Sequence, residues 1–397
     1  MDSSSILFQN DSGTTVLLDL PRSIEEAQLL SRRCRPPLLD LTNRSSVEGD
    51  GDEDEKRTQT TQRDNNAKPP KFKRLVSAPP PKRPFPTPEP KSTTSAPHDY
   101  PSASAQLAEM MTLAAVESAL DEIRSSPYAG RPWCLPRHSR PTTPKLEPSP
   151  GEEEYTIPEA SHPLQGSIAS TRATFLSTAP PNFNLIVLDP PWPNRSAKRN
   201  RGSSSYSHAA DLPATRSLLS LIPVASHLAT DGLVAIWVTN AARFADLLTA
   251  PRGGIFAEWG VELVGEWTWL KVAADGEPTV SLHSAWRKPW ERLFIARRRG
   301  GGDGGGGYLS KRLPERKVIV TVPDVHSRKP NLRGLLEEYL PPQYHALEVF
   351  ARSLTAGWWG WGDQVLLFQH RDHWIDADAA FDDHDDNDDA DDNLEDL

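Results

Sequence analysis

From residue 183 onward the chain alternates short apolar runs with stretches of helical spacing. Phe183-Asn184-Leu185-Ile186-Val187-Leu188 is a continuous buried-strand run that stops at Asp189. Residues 232–239, 261–272, 292–296, 318–322, 346–350 and 365–368 read as further strands, and 212–228, 241–248 and 332–339 as helices. Short continuous strands alternating with helices predict an α/β fold whose sheet is covered on both faces. In such sheets ligands bind beyond the carboxyl ends of the strands. The residues that follow each run are therefore the first candidates for chemistry.

The preceding half has a different texture. Residues 5–20 read as two short strands around an Asn-Asp-Ser-Gly turn, followed by a short helix over 21–30 with Ser23 as N-cap ahead of Glu25 and Glu26. A lone hairpin is not stable in water, so this unit, 1–35, is expected to dock on the later domain. Residues 36–102 have a disordered composition rich in Pro, Ser, Thr and charge. They include Lys68-Pro-Pro-Lys71-Phe-Lys73-Arg74 and Pro79-Pro-Pro-Lys82-Arg83-Pro84, each readable as a nuclear address, a phosphate-binding arm or a solvated linker. Residues 103–126 form one amphipathic helix with Leu107, Met110, Met111, Ala114, Leu120 and Ile123 on its apolar face. A Pro-rich linker over 127–163 then leads to the α/β domain, 164–375, and a disordered acidic tail, 376–397, closes the chain.

Charge changes the picture once the tail is set apart. The formal net charge is -10, but twelve acidic residues and no Lys or Arg lie from Asp376 to Leu397. The rest carries 44 Lys and Arg against 42 Asp and Glu, so a polyanionic partner is compatible with it. Cys34 and Cys134 cannot staple a chain of 397 residues, and no Cys/His cluster has zinc spacing, so no metal is expected. No run approaches the ~20 apolar residues of a membrane span, and no membrane partner is expected. A soluble protein is expected, nuclear on the strength of its basic clusters, with a cytoplasmic location also open.

The chemistry starts at Asp189-Pro190-Pro191-Trp192. The exocyclic amine of adenine is a poor nucleophile because its lone pair is delocalised into the ring. A carboxylate accepting one N–H and a backbone carbonyl accepting the other localise electron density on that nitrogen. Asp189 and the Pro190 carbonyl suit these roles, because consecutive prolines fix φ and offer no N–H. Trp192 offers a flat face, and base–aromatic stacking is worth ~1–3 kcal/mol. In a duplex the base would first be flipped out. The loop that follows carries Lys198, Arg199, Arg201 and Tyr206, which are placed to meet a nucleic-acid backbone. Residues 297–307, Arg- and Gly-rich, read as a flexible insertion because no helix with Lys-Ser/Thr follows.

With that motif on its strand, Trp237-Val-Thr-Asn240, Glu266-Trp-Thr-Trp-Leu-Lys271, Lys288-Pro-Trp-Glu-Arg-Leu-Phe-Ile-Ala-Arg297, His326-Ser-Arg-Lys-Pro330, Glu348-Val-Phe-Ala-Arg352 and Gly357-Trp-Trp-Gly-Trp-Gly-Asp-Gln364 follow in order. The series resembles the MT-A-seventy family of adenine-N6 methyltransferases, most closely its methyltransferase-like-four branch, over about half the chain. The opening hairpin also resembles the N-terminus of fungal members. The resemblance implies a Rossmann-like, seven-stranded methyltransferase sheet in permuted motif order, with the catalytic strand before the cofactor-binding strands. It implies S-adenosyl-L-methionine as methyl donor, with Lys329 on its methionine carboxylate, Glu348 and Arg352 lining its pocket, and Asp363 and Gln364 on the ribose hydroxyls. Here the last motif reads Gly-Asp-Gln where the family has Gly-Asn-Glu or Gly-Asn-Gln, and no Asp or Glu precedes the catalytic strand over 165–178. Nucleic acid is the expected substrate, with small nuclear RNA favoured by the branch and DNA adenine as the rival. A catalytically silent nucleic-acid-binding subunit is the alternative of another class.

Overall fold

The apolar runs pair into one ten-stranded sheet with helices on both faces. The computed structural model describes residues 4–31, 33, 73–86, 103–139, 154–193, 211–284, 287–300 and 312–376. The basic loop with Lys198, Arg199, Arg201 and Tyr206, most of the Gly-rich insertion, most of 36–102 and nearly all of the acidic tail lie outside these residues.

In chain order the elements are β1 (Ile6–Gln9), β2 (Thr15–Leu18), α1 (Leu20–Ala27), β3 (Lys73–Leu75), α2 (Ala103–Ser125), β4 (His162–Gln165), α3 (Ile168–Thr178) and β5 (Phe183–Leu188). Next come α4 (Leu212–Ser220), α5 (Val224–His227), β6 (Leu228–Val238), α6 (Ala242–Thr249), α7 (Ile255–Trp259), β7 (Val261–Lys271), β8 (Trp290–Arg298) and β9 (Arg316–Thr321). The series ends with α8 (Arg333–Leu336), β10 (Ala346–Val349), β11 (Trp359–Gly362) and β12 (Trp374–Asp376). The sheet order is β1-β2-β9-β7-β8-β6-β5-β10-β11-β4. All its strands run parallel except β8 and β1. The stretch from β4 to β7, with β8 inserted antiparallel, is the expected methyltransferase sheet. The strand expected to be catalytic, β5, precedes its neighbour β10 by most of the domain, as the permuted order requires. The sheet is wider than expected because β9, β2 and β1 extend its edge.

Strand periodicity explains why both faces are buried. On β6, Leu233, Ala235 and Trp237 enter the layer under α1 and α8, with Ile24, Leu75, Leu335 and Tyr339. The alternate residues Val234, Ile236 and Val238 enter the opposite layer with Phe175, Leu219, Phe244 and Phe256. At the far edge α2 covers Leu17, Val318 and Val320.

Several local expectations change. Asp19, not Ser23, caps α1: its Oδ1 accepts Arg22 N at 2.9 Å. Pro21 fits the first turn because no N–H is needed there, which moves the start upstream. Ser23 sits inside the helix and donates to the Leu20 carbonyl. The 212–228 helix breaks before Pro223, and its last residues belong to α5 and β6. Residues 367–369 form a 3-10 turn rather than a strand; the strand is β11, in the Trp/Gly run just before. On α2 the buried apolar residues are Val116, Ala119, Leu120 and Ile123, whereas Leu107, Met110, Met111 and Ala114, expected on the same face, are exposed.

The largest departure is at residues 73–86, inside the segment with a disordered composition. There β3 pairs antiparallel with β12, and Glu25 of α1 accepts Leu75 N at 2.8 Å. Glu25 also contacts Arg74 at 3.3 Å and Arg22 at 3.3 Å, with its side chain 1% exposed. Burial pushes the Glu25 carboxyl up, against the pull of that N–H and the two guanidinium groups. Removing one partner of such a buried pair costs about 3–5 kcal/mol because the other charge stays buried. Glu25→Ala is expected to lower stability by about 3 kcal/mol in urea unfolding and to speed proteolysis within 73–86. An unchanged unfolding midpoint would show that Glu25 does not fasten the segment.

Candidate active site

The two prolines after Asp189 end the ladder of β5, since neither offers an N–H. Asp189 keeps one backbone contact, from its N to the Val349 carbonyl at the end of β10, 3.3 Å. Its side chain therefore emerges where the two central parallel strands end. The Pro190 carbonyl accepts Trp192 N at 2.8 Å, which leaves its second lone pair for another donor. Trp192 is turned inward. It is 7% exposed, packs on Phe244 at 4.8 Å and donates its indole N–H to the Trp237 carbonyl at 2.8 Å. The flat face expected for a base is thus occupied by the core, and Trp192 anchors the loop instead.

Lys329 comes to Asp189 from the loop after β9. Its Nζ lies 3.2 Å from Asp189 Oδ1 and 3.0 Å from Glu291 Oε2. Glu291 Oε1 in turn meets Lys271 Nζ at 2.6 Å. The Trp237 and Trp269 rings flank Lys329, with centroids 5.5 and 5.7 Å from Nζ. Burial opposes the Lys329 charge, but the Asp189 and Glu291 carboxylates outweigh it and hold its pKa above the ordinary lysine value. Burial likewise works against Glu291, yet Lys329 and Lys271 outweigh it and hold its carboxyl at about 2. Glu348 has no such cation: burial first, and the Asp189 charge second, push it up to about 8.

Two adjoining clefts open over these strand ends. Asp189, Lys329, Glu348 and Arg352 line the first, together with Ile24 of α1. Asp363, Gln364 and Pro191 line the second, and Phe350 borders both. Phe350 has φ 61°, a left-handed conformation that costs a bulky residue ~1–3 kcal/mol. Its N–H donates to the Trp361 carbonyl at 2.7 Å, which holds the turn. Opposite it, a Cβ on Gly362 would sit 3.1 Å from Phe350 Cα. Glycine there lets the end of β11 approach, and Asp363 and Gln364 follow it directly.

The Lys329 loop is held from below. Arg328 pairs with Asp324 at 2.5 Å and donates to the Val76 carbonyl at 3.0 Å. Asn331 N donates to Ser23 Oγ at 3.1 Å, and its amide reaches Thr355 Oγ1 at 2.7 Å. Arg333 donates to the Glu26, Ala27 and Leu29 carbonyls at the end of α1. Arg352 donates to the Ser327 carbonyl at 3.3 Å.

Asp189, Lys329, Glu348 and Arg352 are thus gathered in one cleft, and Asp363 and Gln364 in the next. Sequence reasoning passed over Glu291, Lys271, Ile24 and the Arg328–Asp324 pair. Lys271 and Glu291 stood inside recognised strings. Only the antiparallel register, with Trp269 opposite Glu291 and Leu270 opposite Trp290, brings them together. Nothing local in the sequence marks Ile24.

The MT-A70 family model matches residues 183–364. The N6-methyladenosine RNA methyltransferase MTA1 of Pyricularia oryzae is 45% identical over 95% of this chain and 98% of its own length. The chain belongs to the MT-A70 family. The N(6)-adenine-specific methyltransferase METTL4 of Mus musculus is 35% identical over 57% of this chain and 46% of its own length. A Caenorhabditis elegans protein named DNA N6-methyl methyltransferase is 31% identical over 47% of each chain. The MT-A70 match runs from the first residue of β5 to Gln364 and so takes in Asp189, Lys329, Glu348, Arg352, Asp363 and Gln364, whereas Ile24 of the first cleft and Ser167 of the second lie outside it.

The Glu348 shift has a testable sign. A carboxyl raised to about 8 in the fold binds its proton more tightly than in the unfolded chain. Its contribution is fully present below the unfolded value and is lost as pH rises toward 8. Glu348→Gln should therefore gain stability relative to wild type between pH 5 and pH 8, by on the order of 2 kcal/mol. Thermal melting of both proteins across that range checks this, and a pH-independent difference would refute it.

Proposed function

We propose that this MT-A70 protein is an S-adenosylmethionine-dependent methyltransferase acting on the N6 amine of adenine in RNA. The observation that carries the reading is the Asp189 carboxylate at the end of a central parallel strand, 3.2 Å from the half-buried Lys329 ammonium and inside a cleft.

The residues present fit the cofactor. A cation lies at one end of the paired clefts and a carboxylate and an amide at the other, matching a charged amino-acid end and a ribose diol. Lys329 spends two of its three N–H donors on Asp189 and Glu291, leaving one for the methionine carboxylate. Glu348 and Arg352 would line that end, and Asp363 and Gln364 would hold the ribose. When bound, S-adenosylmethionine supplies an electrophilic methyl group. Lys329 pairs with Asp189 and orients it. Asp189 accepts one N–H of the adenine amine and the free lone pair of the Pro190 carbonyl accepts the other, which raises the nucleophilicity of N6. Burial of Trp192 fixes the loop bearing both acceptors. Lys198, Arg199, Arg201 and Tyr206 would contact the flanking backbone.

RNA is preferred over DNA because the relative that matches nearly end to end is named for RNA, while the one named for DNA matches less than half the chain. The intact Asp189 and the lined clefts disfavour a silent subunit. A nuclear location is part of the proposal and rests on the basic run over 68–74; Lys68→Ala/Lys71→Ala should leave a tagged chain cytoplasmic, and unchanged nuclear signal would remove that support.

Tritiated methyl transfer to matched RNA and DNA oligomers, with cofactor binding by calorimetry, tests the reaction. Wild type should label RNA. Asp189→Ala should lower the rate about 10³-fold while binding the cofactor normally. Lys329→Met should weaken cofactor binding about tenfold or more. Label on neither oligomer while cofactor binds would sink the reading, and faster labelling of DNA would reverse the choice of substrate.

A further inference from the structure

The run Pro79-Pro80-Pro81-Lys82-Arg83-Pro84-Phe85-Pro86 is fastened to the rim of the sheet on which Asp189 opens. It begins beside the Lys329 loop, where Ala78 N donates to Asp324 Oδ1 at 2.7 Å and Asp324 holds Arg328. It then crosses the loop that follows Lys271. Ala274 N donates to the Pro81 carbonyl at 2.8 Å, and Phe85 N donates to the Thr279 carbonyl at 2.8 Å. That loop is itself braced, since Gly276 packs against Trp133 so closely that a Cβ there would overlap the ring.

Between the two anchors, Lys82 and Arg83 are exposed, and no acid among the described residues pairs with either. Glu277 on the same loop is already paired with Arg124 at 2.7 Å. Phe85 is 53% exposed. Five prolines fix the backbone of the run, so presenting these side chains costs little conformational entropy. On the other side of Pro80 an open cleft is lined by Tyr128, Arg131 and Arg137, with the Arg131 guanidinium 5.8 Å from the Tyr128 ring centroid.

We propose that residues 79–86, continued by Tyr128 and Arg131, are a second contact for the substrate strand, gripping single-stranded nucleic acid that flanks the target adenine. Cations that follow a backbone, interleaved with flat faces for bases, are the chemistry that binds single strands without reading sequence. An address for an import receptor fits less well. Such a peptide must be drawn out in extended form, whereas the backbone here is hydrogen-bonded to the enzyme body at Pro81 and Phe85. The inference rests on the nucleic-acid reading above and extends it beyond the catalytic cleft.

Fluorescence anisotropy of a labelled single-stranded RNA, titrated at several salt concentrations without turnover, tests it on the full chain. Lys82→Ala/Arg83→Ala should weaken binding roughly tenfold at low salt and make log K against log salt shallower by ~1.4, or ~0.7 per lost phosphate contact. Phe85→Ala should weaken binding about tenfold with an unchanged slope. Cofactor affinity should be unaltered in both, which separates a lost contact from misfolding. Unchanged affinity and slope in variants of a wild type that methylates RNA would overturn the inference and leave the proposed function standing. A wild type that binds RNA but methylates nothing, with the slope still shortened by the double variant, would do the reverse. Loss of nuclear import with RNA binding intact, or a wild type that binds no oligomer, would also overturn it.

Discussion

The ammonium of Lys329, held between Asp189 and Glu291, is the constraint around which the strand ends are arranged. Three carboxylates, Asp189, Glu291 and Glu348, crowd the carboxyl ends of β5 and β10 and the amino end of the antiparallel β8 between β6 and β7, and like charges brought together out of water repel. Lys329 and Lys271 answer for two of them, and proton uptake answers for the third. The alternation of charge also explains the two tryptophans. The Trp237 and Trp269 rings give Lys329 a flat, weakly negative surround without adding another acid.

Position comes from elements remote in sequence. The Lys329 loop lies between α1, which holds Asn331 and receives Arg333, and the 73–78 segment, which holds Arg328 and Asp324. The N-terminal hairpin is therefore part of the support of the site rather than an appendage. This is why the sheet runs on through β9, β2 and β1: the added strands bring α1 beneath the cleft, where Ile24 forms part of its lining.

Much of the fold was legible where burial is continuous. The runs Leu185–Leu188 and Leu233–Val238 are apolar at every position because both sheet faces are covered, and that pattern depends on no partner. The Asp189 motif stood out as a candidate because its four residues are contiguous in sequence. Trp192 was misread because a tryptophan after a strand has the same signal whether its ring faces a ligand or the core. Residues 73–86 were misread for a related reason. Their prolines and charges have the composition of a loose linker, and the order comes from hydrogen bonds to Glu25, Asp324 and the loop after β7. Glu291 and Lys271 depend on strand register, which no single strand reveals.

The pairing of β2 with β9 has a consequence for how the chain is made. The hairpin is synthesised first, yet its parallel neighbour at 316–321 emerges some three hundred residues later. Contacts of such long range are slow to form, because a large loop must close before they reward it. On the ribosome the first strands must wait with one edge unsatisfied while the middle of the domain folds, and exposed edges invite wrong pairings. Assembly of the site is thus among the last events of folding, and a nascent chain cut short before β9 leaves its N-terminus with nothing to join.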